Sequence, residues 1–199
     1  MKSFSDKEFF MNRDLILASS SPRRFELLRQ IGLSFQSIVP SVDESTDRTD
    51  PFEVVSELSR RKAAAVAKNN PLSLVIAADT VVTADGKILG KPHSEGEATE
   101  MLRFLSGRSH YVFTGVTVIC DGRIETAICR TEVFFKDLSE ELIHAYVRTG
   151  EPYDKAGGYG IQSKGAVLVD HIDGDYSNVV GLPIGLLYEM LAEFGIDVL

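Results

Sequence analysis

The segment Ser19-Ser20-Ser21-Pro22-Arg23-Arg24 places three hydroxyls and two guanidinium groups where an apolar strand, LILAS at 15–19, runs straight into a helix. A strand-to-helix junction aims unpaired backbone N–H groups outward, and Ser21 reads as the N-cap ahead of a first-turn proline. Arg23 and Arg24 then fall in the first turn, where cations oppose the helix dipole unless an anion sits beside them. The junction reads either as an anion seat or as an ordinary capped helix with two solvated arginines.

Three further places ask for chemistry. Lys62 lies within the apolar face formed by Phe52, Val55, Ser59, Ala63 and Val66, with Arg60 and Arg61 pointing elsewhere. A lysine there must snorkel, pair with an acid or face a cleft. Asp79 ends the apolar run LVIAAD, with Thr80 after it, and a carboxylate at the carboxyl end of a buried strand can hold a metal or take a proton from water. If Asp85-Gly86 is a two-residue turn, Lys91 returns opposite Thr80, or onto the Asp79 face with a bulge at Gly90. Either register sets a cation beside the acid. Glu44 in SVDES is a second candidate carboxylate, or a solvated loop acid among Asp43, Asp47 and Asp50. Last comes Asp154-Lys155-Ala156-Gly157-Gly158-Tyr159-Gly160-Ile161-Gln162. Its glycines allow close approach of a ligand or an ordinary turn, and the Gln162 amide both donates and accepts, as reading a nucleobase edge requires.

The elements that must position these residues alternate. Helices are expected from Pro22 to about Ile31, from Pro51 to about Lys68 behind an Asp50 cap, from Ser94 to about Leu105, over 139–149 and over Pro183–Phe194. Strands are expected at 15–19, around Phe35–Val39, at LVIAAD, in a long hairpin at 109–136 turning at Asp121-Gly122, and once more after the glycine-dense segment. Alternation plus two hairpins predicts an α/β fold on a mixed sheet.

Composition narrows the classes. With 21 Lys plus Arg against 29 Asp plus Glu the net charge is −8, which argues against a nucleic-acid binder. No apolar run nears the roughly 18 residues of a membrane span, and residues 1–14 mix acids and bases unlike a signal peptide. Cys120 and Cys129 would sit about six strand residues apart, roughly 20 Å, too far to bridge. A cytoplasmic enzyme or binder is expected.

Together these segments resemble the Maf family of nucleoside triphosphate pyrophosphatases. The resemblance runs through LILASSSPRRFELL, Asp43-Glu44, the Lys62 helix, AADTVV, GKP at 90–92, LSGRSH at 105–110, DKAGGYGIQ and GLP at 181–183. It implies a single domain over 15–199 behind an N-terminal extension at 1–14. The implied fold is a mixed, strongly twisted α/β sheet with two lobes around a central cleft, as in inosine triphosphate pyrophosphatases, and the implied assembly is a homodimer. The reaction implied is hydrolysis of a nucleoside triphosphate to the monophosphate and pyrophosphate, with Mg²⁺ or Mn²⁺ as cofactor. Arg23, Arg24, Lys62 and Lys91 would neutralise the triphosphate, assisted by Ser19 and Ser21. Glu44 and Asp79 would hold the metal, and Asp79 would activate the water. Arg23, Thr80 and Gln162 resemble the subgroup acting on dTTP and UTP, whereas the 7-methyl-GTP subgroup tends to carry an aromatic, a glutamine and a glutamate there. A flipped glutamine amide could also pair with cytosine. A different class of reading, a nucleotide-binding regulator that restrains cell division, would need the cations but not Glu44 and Asp79.

Overall fold

The computed structural model describes residues 13–198. In chain order its elements are β1 (Leu15–Ala18), α1 (Pro22–Gln30), β2 (Gln36–Ile38), α2 (Pro51–Ala67), β3 (Leu74–Ala84) and β4 (Lys87–Leu89). There follow α3 (Glu95–Leu105), β5 (Ser109–Cys120), β6 (Arg123–Phe135), α4 (Glu140–Val147), three 3-10 turns between Glu151 and Leu168, β7 (Val169–Asp173), α5 (Tyr176–Val180) and α6 (Ile184–Glu193). Side-chain caps start the helices as their sequences require: Ser21, Asp50, Ser94 and Ser139 each accept from the backbone N–H three residues on. Both Asp-Gly turns close their hairpins with positive φ at both residues, 48° and 73° at Asp85-Gly86 and 50° and 75° at Asp121-Gly122.

The seven strands form one mixed sheet in the order β2-β1-β3-β5-β6-β7, with β4 also on β3. β2 and β3 lie parallel to β1 on opposite sides of it. Right-handed crossovers must then put the two connecting helices on opposite faces. They do. Leu27 and Leu28 of α1 pack with Leu15, Leu17 and Ile76 and with Leu187 and Leu191 of α6, whereas Ala63 and Val66 of α2 pack with Ile16, Ala18, Val75 and Ala77. The carboxyl end of β1 is therefore a topological switch point, where open α/β sheets bind ligands.

A second feature widens that opening. One edge of β3 pairs with β5 from Val75 to Thr83. The other edge is shared: Leu74–Ile76 pair with β1 and Val82–Ala84 pair with β4. Among the described residues no strand pairs with residues 77–81 on that edge, and the gap is the floor of a cleft between two lobes. Beyond it, α3, α4 and the 3-10 turns cover Val82, Ala84, Val112 and Val133, while the first half of α2 covers Val81 and Phe113 on the opposite face.

The structure extends or revises some expectations. β3 runs well past LVIAAD, so Asp79 sits in the strand interior beside the gap and not at its end. β7 stands after the glycine-dense segment, as expected, but α5 was not anticipated. Its five residues are held by side chains, with buried Asn178 donating to Val112 O and Thr131 Oγ1, both at 3.0 Å, and Asp175 capping the start. Cys120 and Cys129 pair opposite Arg123 and Thr114 and are free thiols. Of the expected extension at 1–14, residues 1–12 lie outside the described part.

What sets the depth of α2 is Gly115, opposite Asp79 in the β3–β5 ladder. A Cβ there would lie 2.5 Å from the Val55 carbonyl oxygen, so the helix backbone rests directly on the strand. Ser59 Oγ and Thr117 Oγ1, 2.9 Å apart, fix the next turn. Gly115→Ala must push α2 off this seat and is expected to lower unfolding free energy by about 1–3 kcal/mol. Urea melts would show it as a lower midpoint; an unchanged midpoint would mean that α2 has room to yield there.

Candidate functional site

Between the end of β1 and the end of β4 lies a cavity of about 690 Å³. Ser21, Arg23, Arg24, Glu44, Lys62, Asp79, Thr80, Lys91 and Gln162 all line it, so the sequence-predicted set largely converges. Ser19 is the exception. Its side chain is turned into the loop, where Oγ accepts from the Ser21 N–H at 3.1 Å, and the residue is 5% exposed. It shapes the junction instead of lining the cleft.

Strand alternation sends Asp79 and Thr80 to opposite faces of β3, and each meets a helix from its own side. On the α2 face Lys62 does not snorkel. Its Nζ donates to Asp79 Oδ1 at 2.6 Å and to Glu44 Oε2 at 2.8 Å, with Lys62 and Asp79 only 7% and 6% exposed. Glu44 is thus more than a solvated loop acid, although its side chain keeps 58% of its exposure.

On the α1 face Arg24 turns inward from the first helical turn. Its Nε donates to the Gly181 carbonyl at 2.7 Å and its Nη2 to Thr80 Oγ1 at 3.0 Å. Thr80 and Thr114 hydroxyls lie 2.9 Å apart, and Thr114 donates to the Asn178 carbonyl at 3.1 Å. A hydroxyl has one hydrogen, so Thr114 must accept from Thr80 while Thr80 accepts from Arg24. Thr80 is left with an acceptor lone pair and no donor. Burial pulls the Arg24 pKa below its ordinary value, opposed by Asp79 and Glu44 and reinforced by Arg23. Arginine stays charged regardless, and among the described residues Arg24 makes no ion pair.

Across the mouth Arg23 Nη1 meets Asp154 Oδ2 at 2.8 Å, and Lys155 Nζ reaches Asp154 Oδ1 at 2.6 Å. Arg23 and Arg24 are therefore not two equivalent solvated cations. Lys91 departs from expectation: β4 ends at Leu89, the Gly90 carbonyl instead accepts the Gly157 N–H at 3.0 Å, and Lys91 is exposed on the cleft wall with no ion pair among the described residues. The cation beside Asp79 is Lys62, not Lys91, because α2 approaches more closely than the short hairpin.

The glycine-dense segment is no ordinary turn. Its 3-10 turns wrap the far wall and leave Gln162 half-buried at the cleft. Three side chains to which sequence reasoning gave no role, Tyr159, His110 and Tyr146, hold this wall. Tyr159 is 5% exposed and its hydroxyl lies 2.7 Å from His110 Nε2. Burial pushes His110 down to about 4, so a neutral imidazole meets Tyr159 at neutral pH. Tyr146 accepts the Gly160 N–H at 3.1 Å. The aromatic spacing alone did not mark them, since such residues are usually core.

As to a cation, no group of three or more His, Cys, Asp and Glu converges among the described residues. Glu44 and Asp79 do converge, each giving one carboxylate oxygen to the Lys62 ammonium and keeping a second that Lys62 does not bind. Hard oxygen donors of this kind suit Mg²⁺ or Mn²⁺, and Mg²⁺ commonly takes one or two carboxylates plus substrate phosphates. The donor set fits such a shared site and not an all-protein cage.

Known proteins share much of this sequence and its fold. The family model described as Maf-like protein matches residues 14–194. A dTTP/UTP pyrophosphatase of Bacillus cereus strain AH820 is 52% identical over 187 residues, covering 94% of this chain and 98% of its own. One of Bacillus anthracis is 51% identical over the same coverage. Among solved structures, the Staphylococcus aureus Ham1 protein superposes with a TM-score of 0.54 at 17% identity, covering 91% of this chain and 99% of its own, a likeness of fold. By its sequence from β1 to α6, the chain belongs to the Maf-like protein family.

Proposed function

We propose that this protein hydrolyses nucleoside triphosphates, dTTP and UTP foremost, to the monophosphate and pyrophosphate, removing excess or non-standard pyrimidine nucleotides. The observation that carries the reading is one buried carboxylate, Asp79, set in a cleft whose walls carry Arg23, Arg24, Lys62 and Lys91. A triphosphate brings about four negative charges and demands such a clamp. The pyrimidine preference is supported by the relatives named for dTTP and UTP. On the family resemblance the proposal includes a divalent cation, a homodimer and a cytoplasmic setting. No helix of the described residues is long and apolar enough to cross a membrane.

In this reading Arg23, Arg24 and Lys91 hold phosphate oxygens, and the α1 N-terminus behind Ser21 adds backbone donors. Asp79 accepts the proton of the water that attacks phosphorus, and Lys62 orients Asp79 through the contact already made. Mg²⁺ or Mn²⁺, held by Glu44 and Asp79 together with phosphate oxygens, would neutralise charge developing on the phosphates. A nucleotide sensor could dispense with both acids, so their placement favours hydrolysis over a purely regulatory role.

Asp79→Asn preserves shape and an acceptor for Lys62 but removes the proton acceptor. It is expected to fold and to bind nucleotide yet to lose at least about a hundredfold in turnover. Pyrophosphate release and nucleotide binding, measured side by side, check this. Turnover within a few-fold of wild type would move the role to Glu44.

Base reading is tested at Gln162. Its amide can donate to a carbonyl and accept the N3–H of uracil or thymine, whereas Gln162→Glu loses the donor and faces a carbonyl with a charge. The mismatch should cost dTTP and UTP about 1–3 kcal/mol relative to GTP, whose edge offers two donors to a carboxylate. Pyrophosphate release across dTTP, UTP, CTP, ATP and GTP gives the ratio, in which general destabilisation cancels. Equal losses for dTTP and GTP would show that Gln162 does not read the base.

A further inference from the structure

Residues 39–50, between β2 and α2, contain neither helix nor strand, yet they deliver Glu44 to the Lys62 ammonium. Burial does not hold Glu44 there, since its side chain is more than half exposed. The backbone around it is held instead. Arg61 Nη1 donates to the Asp43 carbonyl at 2.6 Å and to the Ser45 carbonyl at 2.9 Å, the two carbonyls that flank Glu44. Arg61 Nη2 binds the Glu57 carboxylate one turn back, and the other Glu57 oxygen accepts from Thr46 Oγ1 at 3.0 Å. Within the clamp the Asp43 carboxylate accepts the Ser45 N–H at 2.8 Å and its hydroxyl at 2.7 Å, closing a tight local turn.

Two consecutive residues of α2 therefore grip the same loop in two ways: Arg61 takes its backbone, and Lys62 takes the side chain it presents. Arg61 lines no part of the cleft, so any effect it has on the reaction must pass through the loop. We propose that Arg61 is a positioning residue that holds the Glu44 carboxylate over the Lys62–Asp79 pair. The proposal rests on the hydrolytic reading of the cleft and extends it to a residue outside the cleft wall. Arginine suits the task because its planar fork serves two carbonyls and a carboxylate at once. Arg60 provides the control. It carries the same charge one residue earlier, is exposed, and makes no ion pair among the described residues.

The test is a double-mutant cycle on turnover of dTTP. Arg61→Ala should lower turnover by about tenfold, the usual scale for losing the support of a liganding carboxylate. In a Glu44→Ala background the same change should alter turnover by less than about twofold, because its only route has been removed. Arg60→Ala should match wild type. Amide exchange with no substrate present gives a second readout: residues 43–46 should exchange faster in Arg61→Ala and not in Arg60→Ala. Losses that multiply in the double variant would overturn the proposal, as would a wild-type rate or unchanged exchange in Arg61→Ala. If the wild-type protein releases no pyrophosphate from dTTP, the hydrolytic reading fails by itself, and exchange at residues 43–46 still decides whether Arg61 holds the loop.

Discussion

An ammonium buried between two carboxylates is the interaction around which this molecule is arranged. Removing charges from water costs several kcal/mol per ion, and their attraction repays it only in good geometry. The contacts of 2.6 and 2.8 Å from Lys62 to Asp79 and Glu44 supply that geometry, and three separate parts of the fold must cooperate to give it. β3 carries Asp79 past the end of β1, where its edge away from β5 has no neighbouring strand among the described residues. Gly115 lets α2 settle on the sheet so that Lys62 reaches the acid. The loop before α2 returns Glu44 over both. Swapping such a cluster for apolar residues is often neutral or stabilising, so stability alone does not explain it. The proposed hydrolysis does, because it needs a carboxylate held in one orientation beside the cleft.

The same logic reconciles an acidic protein with a polyanionic substrate. The net charge of −8 is a property of the whole surface, whereas the potential inside a cleft is set by the groups that line it. Those groups are satisfied unevenly. Lys62 has two carboxylates and Arg23 has Asp154, but Arg24 has a carbonyl and a hydroxyl, and Lys91 has no ionic partner among the described residues. Phosphate oxygens would find the greatest unmet charge at Arg24 and Lys91, on opposite walls. The Arg23–Asp154 contact crosses the cleft mouth with Asp154 60% exposed, so water screens it and it is weak enough to yield.

Much of this was legible in the sequence because local rules govern it. Caps, Asp-Gly turns and apolar alternation are decided within a few residues, and Ser21, Asp50 and both hairpins follow them. Convergence on one cleft was legible too, since Arg24, Lys62 and Asp79 each break the pattern of the element that carries them. What the sequence hides is non-local. Whether Lys62 or Lys91 lies beside Asp79 depends on how closely α2 approaches Gly115, a contact between residues far apart in the chain. α5 is too short for periodicity and is stitched down by Asn178. Arg61 was read only as pointing away from the apolar face of its helix, because the loop carbonyls it binds are announced by no side-chain pattern.

Hydrolysis of a nucleoside triphosphate to the monophosphate and pyrophosphate can proceed by attack of water on the α- or the β-phosphorus, and the proposed reaction in this cleft is attack on the α-phosphorus. Hydrolysis of dTTP in ¹⁸O-labelled water, followed by ³¹P NMR, tests it directly. Attack on the α-phosphorus gives dTMP and pyrophosphate in equal amounts from the first turnovers, with the label in dTMP alone. Label in the pyrophosphate would place the attack on the β-phosphorus, and formation of dTDP and inorganic phosphate would rule out pyrophosphate release altogether.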